Sequence, residues 1–174
     1  MDLEKYTDRS KGFVQAAQTL ALSRNHQRFT PEHLLSVLIE DKEGLAATLI
    51  TVAGGRPKEV RAGTDVALSK LPSVEGGGAG QVYLAPETAR LFEATEKIAE
   101  KAGDRFVSAE RLLLALAMAK ETPSGGILEN AGVSPQALNT AINDVRKGRT
   151  ADSAGAENQY DALKRYAREL TAVA

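Results

Sequence analysis

The sequence predicts an all-α fold: two copies of a four-helix unit packed about a pseudo-twofold axis, followed by a C-terminal linker helix. Three observations carry that expectation. Apolar residues recur at helical spacing along most of the chain. The stretch FTPEHLL at 29–35 returns as VSAERLL at 107–113. Aromatic residues make up only 5% and Trp is absent, so the core has to be built from Leu, Ile, Val and Ala, which suits closely packed helices.

Taken in order, Phe13, Ala17, Leu20 and Ala21 form one stripe of a helix from about residue 10 to residue 24. At the next start, Thr30 can accept hydrogen bonds from free N–H groups, and Pro31 sits at the first helical position, where a missing donor does no harm. Glu32 adds negative charge at the positive end of the helix dipole. Leu34, Leu35 and Leu38 supply the buried face, and His33 is expected to be partly exposed. A third helix is expected at about 45–53 with Leu45, Leu49 and Val52 inward, stopped by Gly54-Gly55. Pro57 opens a fourth through Val60, Ala67 and Leu68. The segment PSVEGGGAGQ, 72–81, has the composition of a linker.

After it the pattern resumes in register. At a constant offset of 78 residues, without a gap, residues 6–70 lie on 84–148. Ala16 meets Ala94, Ala21 meets Ala99, Glu32 meets Glu110, and Leu34, Leu35 and Leu38 meet Leu112, Leu113 and Leu116. Gly54 meets Gly132 and Pro57 meets Pro135; Thr30 is paired with Ser108 and Val60 with Leu138. Identities placed at caps, breakers and core positions indicate an internal duplication. One domain is therefore expected over 1–148: repeat one at about 1–71, the Gly-rich linker at 72–81, and repeat two at about 82–148. A cleft between the repeats is the natural place for a ligand. Residues 149–174 read as a small, polar hinge and then the start of a further helix, with Leu163, Tyr166 and Leu170 on one side.

Composition excludes several kinds of chemistry. The 174 residues carry a formal net charge of −1, which argues against strong general attraction to nucleic acid or to an anionic membrane. With no Cys there are neither disulfides nor thiolate metal sites. The longest apolar run, Leu112 to Ala119, is far too short to span a bilayer, and the start has no apolar signal core, so a soluble protein is expected. GGGAG at 76–80 is followed by Gln81 where a phosphate loop needs Lys, which leaves it a linker. His26 and His33 are the only histidines, HExxH is absent, and no metal site is expected. No carboxylate spacing marks an acid/base pair, and Ser10, Ser23 and Ser108 lack a base, so no enzyme is expected on this chain. Arg146, Lys147 and Arg149 read as a solvated helix end that complements the dipole.

The duplicated unit, the phrase Thr30-Pro31-Glu32-His33-Leu34-Leu35 and the closing ALKRYARELT at 162–171 together resemble the amino-terminal domain of ClpB disaggregases, within the Clp family of ATP-driven AAA+ chaperones. The resemblance covers essentially the whole chain. It implies a mobile substrate-recognition domain, cytoplasmic and stress-related, that weakly binds unfolded or aggregated polypeptide and helps deliver it to a hexameric ring. ATP and Mg²⁺ would be bound by modules absent here, with residues 149–174 leading into the first of them; this stretch itself would carry no cofactor and be monomeric when isolated. Adaptor docking or ring regulation, as in ClpA- or ClpC-like unfoldases, is the alternative. The resemblance further implies substrate contact at Thr7, Asp104 and Glu110. Each also has a purely structural reading: Thr7 as a helix cap, Asp104 in the turn Ala102-Gly103-Asp104-Arg105, Glu110 at the helix dipole. Sequence-tolerant capture needs an apolar groove with a polar rim. Phe13, Leu91, Phe92, Phe106 and Val107 are candidates to line it, and each is equally a candidate for the core.

Overall fold

The structure, a computed structural model, describes residues 2–75 and 80–156. The expected linker helix, with Leu163, Tyr166 and Leu170, lies outside the described residues. These hold eight α-helices: α1 Asp8–Ser23, α2 Pro31–Ile39, α3 Leu45–Val52, α4 Pro57–Ser69, α5 Pro86–Lys101, α6 Ala109–Met118, α7 Pro123–Asn130 and α8 Pro135–Arg146. Two short strands, β1 Arg28–Phe29 and β2 Tyr83–Leu84, pair in parallel. The all-α class expected from the sequence is therefore what the chain adopts. Five of the helices begin with Pro at the first position, where the ring presets the helical φ and no donor is lost.

α2 and α6 form the centre. Every residue of α2 except Val37 is buried, as is every residue of α6 except Met118. A helix apolar on almost every side belongs inside a domain. The six leucines Leu34, Leu35, Leu38, Leu112, Leu113 and Leu116 are closed off from solvent, each contributing about 1.5–3 kcal/mol of burial. Around this pair the contacts are reciprocal: α4 packs on α7 while α8 packs on α3, and α1 packs on α6 while α5 packs on α2. This exchange is what a pseudo-twofold axis produces.

Hydrogen bonds repeat the symmetry atom for atom. The Thr7 N–H donates to the Val107 carbonyl at 2.9 Å, and the Ala85 N–H donates to the Phe29 carbonyl at 3.2 Å. The Ser10 hydroxyl donates to the same Val107 oxygen at 2.7 Å, and the Thr88 hydroxyl to the same Phe29 oxygen at 2.7 Å. Each repeat thus inserts the residues before its first helix beside the residue before the second helix of the other. α1 and α5 also end alike. Asn25 (φ 58°) and Gly103 (φ 81°) take the left-handed conformation, which lets the His26 N–H reach Ala21 O and the Asp104 N–H reach Ala99 O, both at 2.9 Å.

The buried stripe of α1 is Ser10, Val14, Ala17 and Ala21, with Phe13 and Leu20 only half buried. The face is turned from the expected one because Ser10 goes inside, its hydroxyl satisfied by Val107. On α3, Ile50 is buried and Val52 half buried, reversing the expectation for Val52. The expected hinge is held down at its start: Ala151 and Ala156 are buried, the Arg105 and Phe106 N–H groups donate to Ala151 O at 2.9 Å, and the Asp8 N–H donates to Ala154 O at 2.7 Å.

Candidate functional site

The left-handed Gly103 turns the chain so that Asp104 points inward, between α6 and the end of α8. Its carboxylate accepts from Arg111 Nε at 2.9 Å, from Arg146 Nη1 at 2.9 Å on both oxygens, and from the Ala151 N–H at 2.9 Å. Arg146 also reaches Glu110 Oε1 at 3.4 Å and the Ser108 hydroxyl, and Arg111 Nη1 reaches Asn139 Oδ1 at 3.4 Å. Two carboxylates and two guanidiniums are thus buried together and balance in charge. Burial alone would raise the Asp104 pKa, but the Ala151 N–H and the two arginines outweigh it and hold the carboxyl below its ordinary value.

At the same offset, repeat one places different chemistry in the same frame. His26 stands where repeat two has Asp104, His33 where it has Arg111, and Leu68 where it has Arg146. His26 Nδ1 lies 2.9 Å from His33 Nε2, and the Thr30 N–H donates to His33 Nδ1 at 3.0 Å. With Nδ1 accepting, neutral His33 carries its proton on Nε2 and donates it to His26. Burial first, and then the neighbouring His26, lowers the His33 pKa to about 4; burial lowers His26 as well. Glu32, the counterpart of Glu110, has no buried arginine for a partner among the described residues; burial raises its pKa and outweighs the exposed Arg28 nearby, which pulls it down. The expectation of a partly exposed His33 is overturned: its exposure is 0%, because its ring closes the cap of α2 instead of facing water.

The residues implied by resemblance converge. Thr7 is fully buried as the cap of α1, accepting from the Ser10 N–H at 3.2 Å, and its own N–H bonds Val107, next to Ser108. Thr7, Asp104 and Glu110 therefore meet around the loop 104–108, all buried. Of the groove candidates, Leu91, Phe92 and Val107 are core and cannot line an open groove in this arrangement: Phe92 packs edge-on against Tyr6 and Phe29, with ring centroids 6.2 and 6.1 Å apart. Phe13 and Phe106 are half buried. The reading of Arg146 as a solvated helix end is likewise corrected, because its guanidinium neutralises Asp104 and Glu110 inside the protein; Lys147 and Arg149 do face solvent.

Among the described residues, two of the surface concavities concern the site. One, of about 410 Å³, lies between α5, α6 and α8, with Ile98, Leu114 and Met118 among its apolar lining, Lys101, Gln136 and Asn139 among its polar lining, and Arg111 in its wall. The other, of about 500 Å³, lies where the two repeats meet, between α1 and β2. Among the described residues no cluster of His, Asp or Glu could hold a metal ion, and no helix is long and apolar enough to cross a membrane.

Residues 5–131 match the family described as the Clp repeat (R) N-terminal domain. The chain belongs to that family. Its sequence is 61% identical over 172 residues, 99% of this chain, to the chaperone protein ClpB of Mesorhizobium japonicum, and 60% identical over its full 174 residues to that of Rhodopseudomonas palustris. In both cases the match spans 20% of the relative's length. The fold resembles the crystal structure of the Hsp104 N-terminal domain from Candida albicans, with a TM-score of 0.76 at 22% identity, covering 87% of this chain and 98% of that one. The amino-terminal Clp repeat resemblance read from the sequence is thereby shown.

Proposed function

We propose that this domain recognises unfolded or aggregated polypeptide for an ATP-driven disaggregase of the ClpB kind and helps deliver it to the AAA+ ring. ATP and Mg²⁺ belong to modules outside this chain, in a hexameric, cytoplasmic assembly. The observation that carries the reading is the groove between α5, α6 and α8. Met118 stands 52% exposed beside Leu114 and Ile98, and polar side chains ring them. Apolar burial is non-directional, so such a surface accepts many sequences weakly, as a domain that must release its cargo requires. Thr7, Asp104 and Glu110 serve this site from behind. Asp104 fixes Arg111 in the groove wall, Glu110 fixes Arg146 against Asp104, and Thr7 anchors the loop that carries them; they are positioning residues.

Fluorescence anisotropy with labelled α-lactalbumin tests this reading. The reduced and carboxymethylated protein, permanently unfolded, is expected to bind this chain, and the native protein is not. Equal affinity for both forms, or binding to neither, would overturn the reading.

A further inference from the structure

The concavity at the junction of the repeats has features that the α5–α6–α8 groove lacks. Its lining, Gln15, Gln18, Thr19, Leu22, Phe29, Gly80, Val82 and Leu84, carries no charged side chain. Of the large apolar residues that stand exposed among the described residues, Leu22 (45%) and Leu84 (48%) line it. A strand edge borders it. The Tyr83 and Ala85 N–H groups donate to Gln27 O and Phe29 O, so both point toward β1. Alternation along a strand then turns the Leu84 N–H and C=O away from β1, to the outer edge of the ladder.

The symmetry of the fold indicates what suits such an edge. The counterpart ladder, Tyr6 beside Val107, is covered by polypeptide of this same chain. Tyr6 there is fully buried, its N–H donates to Leu3 O at 3.0 Å, and at the adjacent start of α1 the segment after α8 supplies Ala154 O to the Asp8 N–H. At β2, Tyr83 and Leu84 have no comparable cover among the described residues. We infer that the outer edge of Tyr83–Leu84 is a second polypeptide-binding site. Its ligand is an extended, uncharged apolar segment that adds as a strand through the Leu84 N–H and C=O and lays alternate side chains against Leu22 and Phe29. Main-chain pairing reads no sequence, which suits varied clients. Pro86 ends the edge after two residues, so the added strand stays short and weakly held.

The inference rests on the reading that the domain captures unfolded chain, and one experiment separates the two. Reduced, carboxymethylated α-lactalbumin is titrated into the isotope-labelled 174-residue chain while amide shifts are followed. The Leu84 amide is expected to shift downfield and to gain protection from exchange. Leu84→Pro, which deletes the outward N–H together with the leucine side chain, is expected to weaken binding, read from the shifts of the neighbouring Tyr83 and Ala85 amides, by at least about fivefold, the scale of one lost hydrogen bond. Leu22→Asp, at an exposed position outside the ladder, checks the same site without touching the strand and is expected to weaken it as well. Shifts confined to α5, α6 and α8, with both variants binding as the parent does, would overturn the edge site and leave the proposed function standing. No shift anywhere would overturn both.

Discussion

His26 and His33, 2.9 Å apart through their ring nitrogens, hold in the first repeat the place that the Asp104–Arg111 ion pair holds in the second. The frame around them is shared, from the left-handed residue before each pair to the chain segment that returns beside it: an isolated bridge joins His26 and Ser73, and Asp104 binds Ala151. Leu68 accompanies the neutral imidazoles and Arg146 accompanies the charged pair. One scaffold thus carries a neutral lock and an ionic lock at equivalent positions, and the two respond to different perturbations.

The neutral lock is acid-sensitive. Both imidazole pKa values are lowered in the folded state, that of His33 to about 4, so the unfolded chain binds protons first as the pH falls. Stability contributed by the pair is complete above the ordinary histidine pKa of about 6.5 and is lost progressively toward pH 4. Glu32, whose pKa burial raises, works in the opposite direction over the lower part of that window. Urea denaturation across this range is expected to show stability falling with pH, and His33→Gln to flatten the slope. The amide can still accept from the Thr30 N–H in a capping box, so the variant is expected to fold.

The ionic lock depends on charge balance. Asp104→Asn keeps the shape but leaves Arg111 and Arg146 buried without their common partner, and is expected to destabilise the domain by about 3–5 kcal/mol. Glu110→Gln is expected to destabilise it by only about 1–2 kcal/mol, because Glu110 reaches Arg146 through a single long contact. Denaturation midpoints of the two variants at neutral pH give the order directly.

Releasing Asp104 also releases the segment after α8. The Ala151 N–H donates to Asp104 Oδ1, and Ala151 O accepts from Arg105 and Phe106. Hydrogen exchange in Asp104→Asn is expected to speed up at Ala151 and across 105–106, with amides in α3 changing only through the loss of global stability.

The clasp between repeats should be energetically even. Ser10→Ala and Thr88→Val each remove one buried hydroxyl donor to a carbonyl of the other repeat. Each is expected to lower stability by about 1 kcal/mol, and the double variant to show close to the sum, since the two bonds share no residue.

The helix starts, the leucine pairs and the stops at Gly54 and Gly132 were legible in the sequence because caps and periodicity are local signals. The ionic lock was not, since Arg146 and Asp104 meet across 42 residues and Arg146 sits beside two solvent-facing cations. A signal for it was present nonetheless. The offset of 78 residues sets Arg146 against Leu68 at a core position, and a cation in core register implies a buried anion to meet it. Leu91, Phe92 and Val107 were apolar enough to line a groove or fill a core, and composition could not separate the two. Their rings and branches instead close the interface between the repeats.

The most direct measurement compares affinity for reduced, carboxymethylated α-lactalbumin with folding stability in the parent chain, Met118→Ser and Asp104→Asn. Met118 stands in the groove between α5, α6 and α8, and Asp104 lies behind its wall. Met118→Ser is expected to weaken binding at unchanged stability, and Asp104→Asn to lower both, with the groove amides shifted even without ligand. Undiminished affinity in both variants would contradict the assignment of this groove, held from behind by Asp104, as the site of capture.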